Sequence, residues 1–213
     1  MTHSNLRVFE FPSVRELIVF MLYGILLTGT FALVYGTTNH QAALTTEVYR
    51  LYWDWEKSVP LVSSMILIYF SLNLLTASTL FFLRGREIHY LALTYAVSIF
   101  LAGSVFYFFP TTAGFERAGT ATPWADWYSL LYSWDGPYNL FPSLHITLSS
   151  ISVFCISKEV STTVRRLLYV WLTLICAAVI LTHQHHLIDV IGGLALGKMC
   201  VNTFFTPFQE KAV

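Results

Sequence analysis

The sequence predicts an all-α integral membrane protein, a bundle of six transmembrane helices with both termini cytoplasmic. Three observations predict it. Of 213 residues, 55% are hydrophobic and 11% charged, against about 25% charged in an average soluble domain, and mean hydropathy is +0.60. The apolar residues fall in blocks long enough to cross a bilayer as helices, about twenty residues each. The Lys and Arg residues gather on one side of those blocks, the side that faces the cytoplasm. Formal net charge is zero, which leaves no electrostatic footprint for a nucleic-acid partner.

The first block runs from about Leu17 to Tyr35. It follows a polar lead of about sixteen residues, is longer than a signal-peptide core at about nineteen, and has no A-x-A-like cleavage site after it. The second block, about Val59 to Leu83, ends at the charged break Arg84-Gly85-Arg86-Glu87, and the third covers Leu91 to Phe109. The fourth runs from about Leu140 to Ile156, the fifth from Leu167 to Thr182 and the sixth from Leu187 to Phe205. Only His183 to His186 join the last two. No internal repeat stands out, so residues 1–213 read as a single six-helix membrane domain.

Orientation follows from the cations. With the N-terminus inside, Arg7, Arg15, Arg84, Arg86, Lys158, Arg165, Arg166 and Lys211 lie inside, and Arg50, Lys57 and Arg117 outside. Lys198 falls within the sixth helix. The outer side also collects Trp53, Trp55, Trp124, Trp127 and Trp134, as amphipathic aromatics do at headgroup level. The segment Trp124 to Tyr132 suits a short interfacial helix. Cys155, Cys176 and Cys200 all lie in apolar segments, with no disulfide framework and no zinc-ligand spacing.

Polar groups at the ends of apolar helices are costly unless they are used. Two such groups stand out, within residues 139–193. In Phe141-Pro142-Ser143-Leu144-His145, proline suits a first helical turn, where unpaired backbone N–H groups, Leu144 among them, and the helix dipole cradle a phosphate. Ser143 adds a hydroxyl donor, and His145 lies within reach as a proton donor. In His185-His186-Leu187-Ile188-Asp189, His185 and Asp189 are four apart and share a helix face. A carboxylate on one imidazole nitrogen raises the basicity of the other, which prepares a nucleophile or base. The topology puts both motifs on the outer face. Together they suggest covalent phosphoryl transfer, with His185 attacking phosphorus and His145 protonating the leaving oxygen.

These residues resemble a known family. Pro142-Ser143-Leu144-His145 is similar to the second signature, usually P-S-G-H, of the type 2 phosphatidic acid phosphatase superfamily, and His185-x-x-x-Asp189 to the end of its third. Asn139 to His145, with His185 to Gly193, is most similar to the inositol phosphorylceramide synthase and sphingomyelin synthase branch. The resemblance covers helices three to six. It implies His185 as nucleophile, Asp189 as its orienting partner, His145 as second catalytic histidine, and a mechanism without metal or other cofactor. The chain departs from the family in its cations. The first signature, K-x6-R-P, aligns its proline with Pro110 and its basic positions with Ala102 and Phe109, and the S-R of the third falls on Ala178-Val179. A singly charged diester needs less compensation than a dianionic monoester, which tilts the expectation toward transfer over hydrolysis. Arg117, His183 and His186 are candidates to supply positive charge.

The expected activity is therefore a lipid phosphotransferase, with a membrane lipid as donor and an alcohol headgroup as acceptor, or a lipid phosphatase using water. Two other classes compete. A metal-dependent hydrolase or transporter built on His183, His185, His186 and Asp189 leaves the Pro-Ser-x-His segment unexplained. A non-catalytic lipid binder leaves both histidines and the aspartate without a use. Small size and short loops suggest a bacterial inner membrane with the site on the periplasmic side.

Overall fold

The structure, a computed structural model, describes residues 9–45, 47–117, 122–158 and 160–211. Arg7, one of the cations that set the expected orientation, lies outside them. Among the described residues all regular structure is helical, apart from isolated bridges such as that between Tyr49 and Thr111. Helix α1, Val14–Leu44, starts at a capping box in which the Glu16 N–H bonds to Ser13 Oγ at 3.3 Å and the Ser13 N–H to the Glu16 carboxylate at 2.9 Å. It outruns the predicted span by nine residues at its C-terminus. Thr37 and Thr38 read as polar, but their hydroxyls donate back to the carbonyls of Leu33 and Val34 and so keep the helix intact. Of the buried residues of α1, Tyr35 ends the predicted span, and Thr38 and Ala42 lie in this extension.

The second block is a broken helix rather than one rod. A 3-10 turn at Ser63–Met65 leads into α2 (Ile66–Phe70) and α3 (Leu72–Ser78), and a second 3-10 turn follows at Thr79–Phe81. The break is at Ser71, whose hydroxyl donates to the Ile68 carbonyl at 2.6 Å and accepts from the Trp171 indole at 2.9 Å. Serine competing for the backbone in this way is a recognised cause of helix bending. Helix α4 is Arg86–Phe108. The expected interfacial helix is α5, Ala125–Trp134.

Helix α6, Leu144–Ser157, has 14 residues, about 21 Å at 1.5 Å per residue, and is shorter than the predicted fourth span. Helix α7 is Thr162–Leu181. Helix α8, Leu187–Cys200, runs through a π-turn at Val201–Phe205 into α9, Thr206–Lys211. Among the described residues five helical stretches are long and apolar enough to cross a membrane, and α6 is a shorter apolar helix. The protein is an integral membrane protein.

Helix α6 is the core of the bundle, packed against α3, α4, α7 and α8. Its approach to α8 depends on glycine. A Cβ at Gly197 would lie 2.0 Å from Ser150 Oγ, and one at Gly193 2.6 Å from the Ser143 carbonyl oxygen. Small residues at such a crossing let two backbones come together, and here they carry the start of α6 up to the start of α8. The Ser143 N–H bonds to the Asp189 carbonyl at 3.0 Å, and the Thr147 hydroxyl to the Gly193 carbonyl at 3.2 Å.

Candidate active site

Two loop geometries place the two motifs. Before α6, Asn139 takes a left-handed conformation (φ 65°) and its amide donates to the Tyr35 carbonyl and Thr38 hydroxyl. The N–H groups of Leu140 and Phe141 both donate to Thr111 Oγ1 at 3.1 Å. The Phe141–Pro142 peptide is cis. Pro142 is therefore not in the first helical turn, as the sequence suggests, but just before the N-cap. The cap is Ser143, whose Oγ accepts the Ile146 N–H at 3.4 Å. With its own N–H committed to Asp189, Ser143 keeps its hydroxyl hydrogen for another acceptor. The N–H groups of Leu144 and His145 occupy the first two helical positions, which no intrahelical carbonyl satisfies.

Between α7 and α8, His183 is left-handed (φ 60°), as residues just past helix ends often are. The N–H groups of Gln184 and His185 both reach the Val179 carbonyl at 3.0 Å. His185 thus precedes α8 instead of lying on it, and its approach to Asp189 is across the helix start. The Asp189 carboxylate accepts the His186 N–H at 2.8 Å, and His185 Nδ1 lies 3.5 Å from the same oxygen.

The motif residues converge. His145 Nδ1 is 3.3 Å from His185 Nε2, and His145 Nε2 is 2.6 Å from the Tyr69 hydroxyl. His185 and Asp189 are 4% and 1% exposed. A lone pair on His185 Nδ1 facing Asp189 would be repulsive, which assigns the hydrogen to Nδ1 and the lone pair to Nε2. His145 then donates from Nδ1, and Tyr69 donates to its Nε2. This chain leaves the lone pair of His185 Nε2 on the side of His145.

Each histidine of this pair lines a cavity. One, of about 90 Å³, is a polar cleft lined by His185, His183, Gln184, Arg117 and Asp135 among others. Arg117 lies over the Tyr132 ring, 4.5 Å from its centroid, and donates to the Asp135 carbonyl at 2.8 Å. The other cavity, of about 620 Å³, is mainly apolar, and His145 and Asp135 are among the residues that line it. Asp135 lines both and accepts a hydrogen bond from the Tyr35 hydroxyl. Burial pushes its carboxyl above the ordinary range, against the opposing pull of Tyr35, His185 and Arg117.

The structure does not bring His186 to the phosphate position. Its Nε2 accepts the Gly114 N–H at 2.9 Å and its Nδ1 lies 3.2 Å from the buried Glu56 carboxylate. Both ring nitrogens are used. Burial lowers its pKa, in keeping with a neutral ring donating from Nδ1. The ring is stacked between Tyr52 and Phe115, and Phe115 also stacks on His183. His183 Nε2 is 2.9 Å from the Val59 carbonyl. Among the described residues no three His, Cys, Asp or Glu side chains converge as a metal-ligand set.

The positions of the missing family cations are informative. Ala102, Ala178 and Val179 are fully buried among apolar side chains, and Phe109 ends α4 with its ring exposed. Sequence reasoning missed Tyr69, Tyr35 and Asp135. Asp135 alone left a trace there, as an acid in an otherwise aromatic segment. Comparison with curated proteins and with solved structures finds no match. A model of the PAP2 superfamily matches residues 56–201, from the buried Glu56 through the end of α8. The chain belongs to the PAP2 superfamily, the type 2 phosphatidic acid phosphatases, and is a membrane enzyme of that lipid phosphatase and phosphotransferase class.

Proposed function

We propose that this enzyme is a lipid phosphotransferase working through a phosphohistidine on His185. The observation that carries the reading is that His145, which lines the apolar cavity, lies against His185, which lines the polar cleft. A lipid's apolar part fits the first and its phosphate the second, with the reacting bond beside the two rings. In the first step His145 enters doubly protonated, with the Tyr69 hydroxyl accepting from its Nε2; His185 Nε2 bonds to phosphorus, the bond from phosphorus to the leaving oxygen breaks, and His145 delivers a proton to that oxygen and is left neutral. Asp189 stabilises the charge that develops on the His185 ring through Nδ1. In the second step an acceptor hydroxyl gives its proton to His145 and attacks phosphorus, and the P–N bond breaks. Leu144 and His145 N–H, the Ser143 hydroxyl and Arg117 hold the phosphate oxygens.

A diester donor is favoured because the cation positions of the superfamily signatures are apolar here, with Arg117 as the cation lining the cleft. That agrees with the resemblance to the inositol phosphorylceramide and sphingomyelin synthases, and so with a phospholipid or sphingolipid donor and an alcohol acceptor. The site belongs on the outer face of the membrane, the periplasmic face if the membrane is a bacterial inner one. The small volume of the cleft favours a second reading, hydrolysis, because it admits water more easily than a headgroup. Purified enzyme given phosphatidic acid, phosphatidylinositol and ceramide in nanodiscs separates the two. Transfer yields a new phospholipid by mass spectrometry, and hydrolysis yields free phosphate. An acid-labile, base-stable phosphate on His185 is expected in either case, and its absence under burst conditions overturns the covalent mechanism.

A further inference from the structure

We infer that the apolar cavity gauges the length of a lipid hydrocarbon chain, and that Gly24 on α1 sets its far end. The inference rests on the lipid chemistry proposed above. Along α1 the lining residues are Phe20, Tyr23, Gly24, Leu27, Thr28 and Phe31, a helical spacing that defines one face. Met21, Leu22, Ile25 and Leu26 point away and are exposed. Across the cavity, α4 contributes residues from Ile88 to Ile99. Phe20 to Phe31 and Ile88 to Ile99 are each twelve residues, a rise of about 16 Å along the helix. One leaflet's share of a hydrocarbon core about 30 Å thick is about 15 Å. The cavity is therefore about as deep as the chain region of one leaflet, with the reacting groups at one end.

The far end is closed by α1 meeting α4. The Tyr23 hydroxyl is 2.7 Å from His89 Nδ1, and the two rings are edge to face. Helix α1 packs along α4 and approaches the broken second span at Thr79–Phe81, so the length between α1 and α2 is the side through which a chain enters from the bilayer. At the closed end, Gly24 removes a side chain from a face otherwise made of larger residues. A Cβ built there meets nothing within 4 Å, so a larger residue takes volume from the cavity without forcing the helices apart. The gauge lies in the one long helix outside the family match, which begins at residue 56.

The test uses the full chain in nanodiscs. Phosphatidic acid carrying a diazirine at the chain terminus is photolysed and the adducts mapped. Label on Phe20, Tyr23 or Ile88 is expected, and label confined to Leu22, Ile25 and Leu26 overturns the inference. In parallel, turnover of dipalmitoyl- and dioctanoyl-phosphatidic acid is compared. Gly24→Leu is expected to cut the ratio of kcat/KM, long over short, by about tenfold or more, the scale of a misfit in an apolar pocket. Gly29→Leu, also in open space but off the cavity, leaves that ratio as it was. An unchanged ratio in Gly24→Leu overturns the gauge. If neither lipid is turned over by the wild type, the proposed chemistry falls for that donor while the labelling still decides the cavity.

Discussion

The two cavities that share Asp135 in their walls are built in opposite ways. The polar cleft is walled by irregular backbone, comprising the segment around Arg117, the approach to Leu140 and the turn from His183 to His185. Hydrogen bonds to backbone hold each piece: Arg117 on Asp135, His183 on Val59, His186 on Gly114 and Thr111 on Leu140. The apolar cavity is walled by helices, and it exists where they fail to touch. Irregular backbone inside a membrane protein is tolerated where it is buried in protein or lines a polar cavity. The chemistry thus occupies the heavily tied region, and the bulk of the substrate a region bounded by packing alone. Substitutions in the cleft are expected to change catalysis, and substitutions in the cavity to change which lipid is used.

The largest effect expected on the cleft side is from His185→Ala. Turnover falls by about 10⁴-fold or more, the scale of removing a nucleophile, with no phosphohistidine in acid-quench labelling and an intact folded peak on size exclusion. Activity within tenfold of wild type would sink the assignment. Asp189→Asn comes next, at about 10² to 10³-fold in kcat, because the His185 ring loses the charge that supports its imidazolium form. Its amide oxygen still caps His186 N–H, so the thermal midpoint moves little. A loss seen in KM alone would mean that Asp189 acts on binding.

Asp135→Asn separates function from stability. A carboxyl whose pKa is raised on folding binds its proton more tightly in the folded state, so stability is lost as pH rises from about 3.9 through the folded value. Burial is the leading cause here. Asn removes that penalty, so the variant is expected to melt higher than wild type at pH 7 and no higher near pH 3, while kcat/KM falls by about tenfold. Lower melting at pH 7 would show that the Tyr35 bond outweighs the buried charge. The smallest effect on chemistry comes from His186→Ala. Leaving Glu56 with one partner fewer costs about 1–3 kcal/mol of stability, read in a detergent melt, with turnover per folded molecule within about threefold. A selective rise in KM would return His186 to the phosphate site.

What was legible in the sequence divides along the same line. Ser143, His145, His185 and Asp189 announce themselves because a polar group at the start of an apolar helix has few structural reasons to be there. Tyr69 does not, because a tyrosine within an apolar run reads as core. Its bond to His145 joins residues 76 apart. Asp135 and Tyr35 are 100 apart, and no local spacing signals that contact. His186 shows the reverse error. Beside His185 it reads as a second site residue, but Glu56 and Gly114 claim both its nitrogens from distant segments. The helices were largely legible from hydropathy. The α1 extension was not, because Thr37 and Thr38 hide their hydroxyls in the helix itself, and the break at Ser71 depends on Trp171 in another helix.

The tight connection between α7 and α8 has a consequence for the rate. Gln184 and His185 share the Val179 carbonyl, His183 is already past its helix in the left-handed region, and Asp189 caps the next helix within the same few residues. The backbone that bears the proposed nucleophile, His185, is tied down on both sides. Its conformational entropy is surrendered once, when the chain folds, and not again at each turnover. Lengthening this turn by a residue would return that freedom, and slow the reaction without removing any reacting atom.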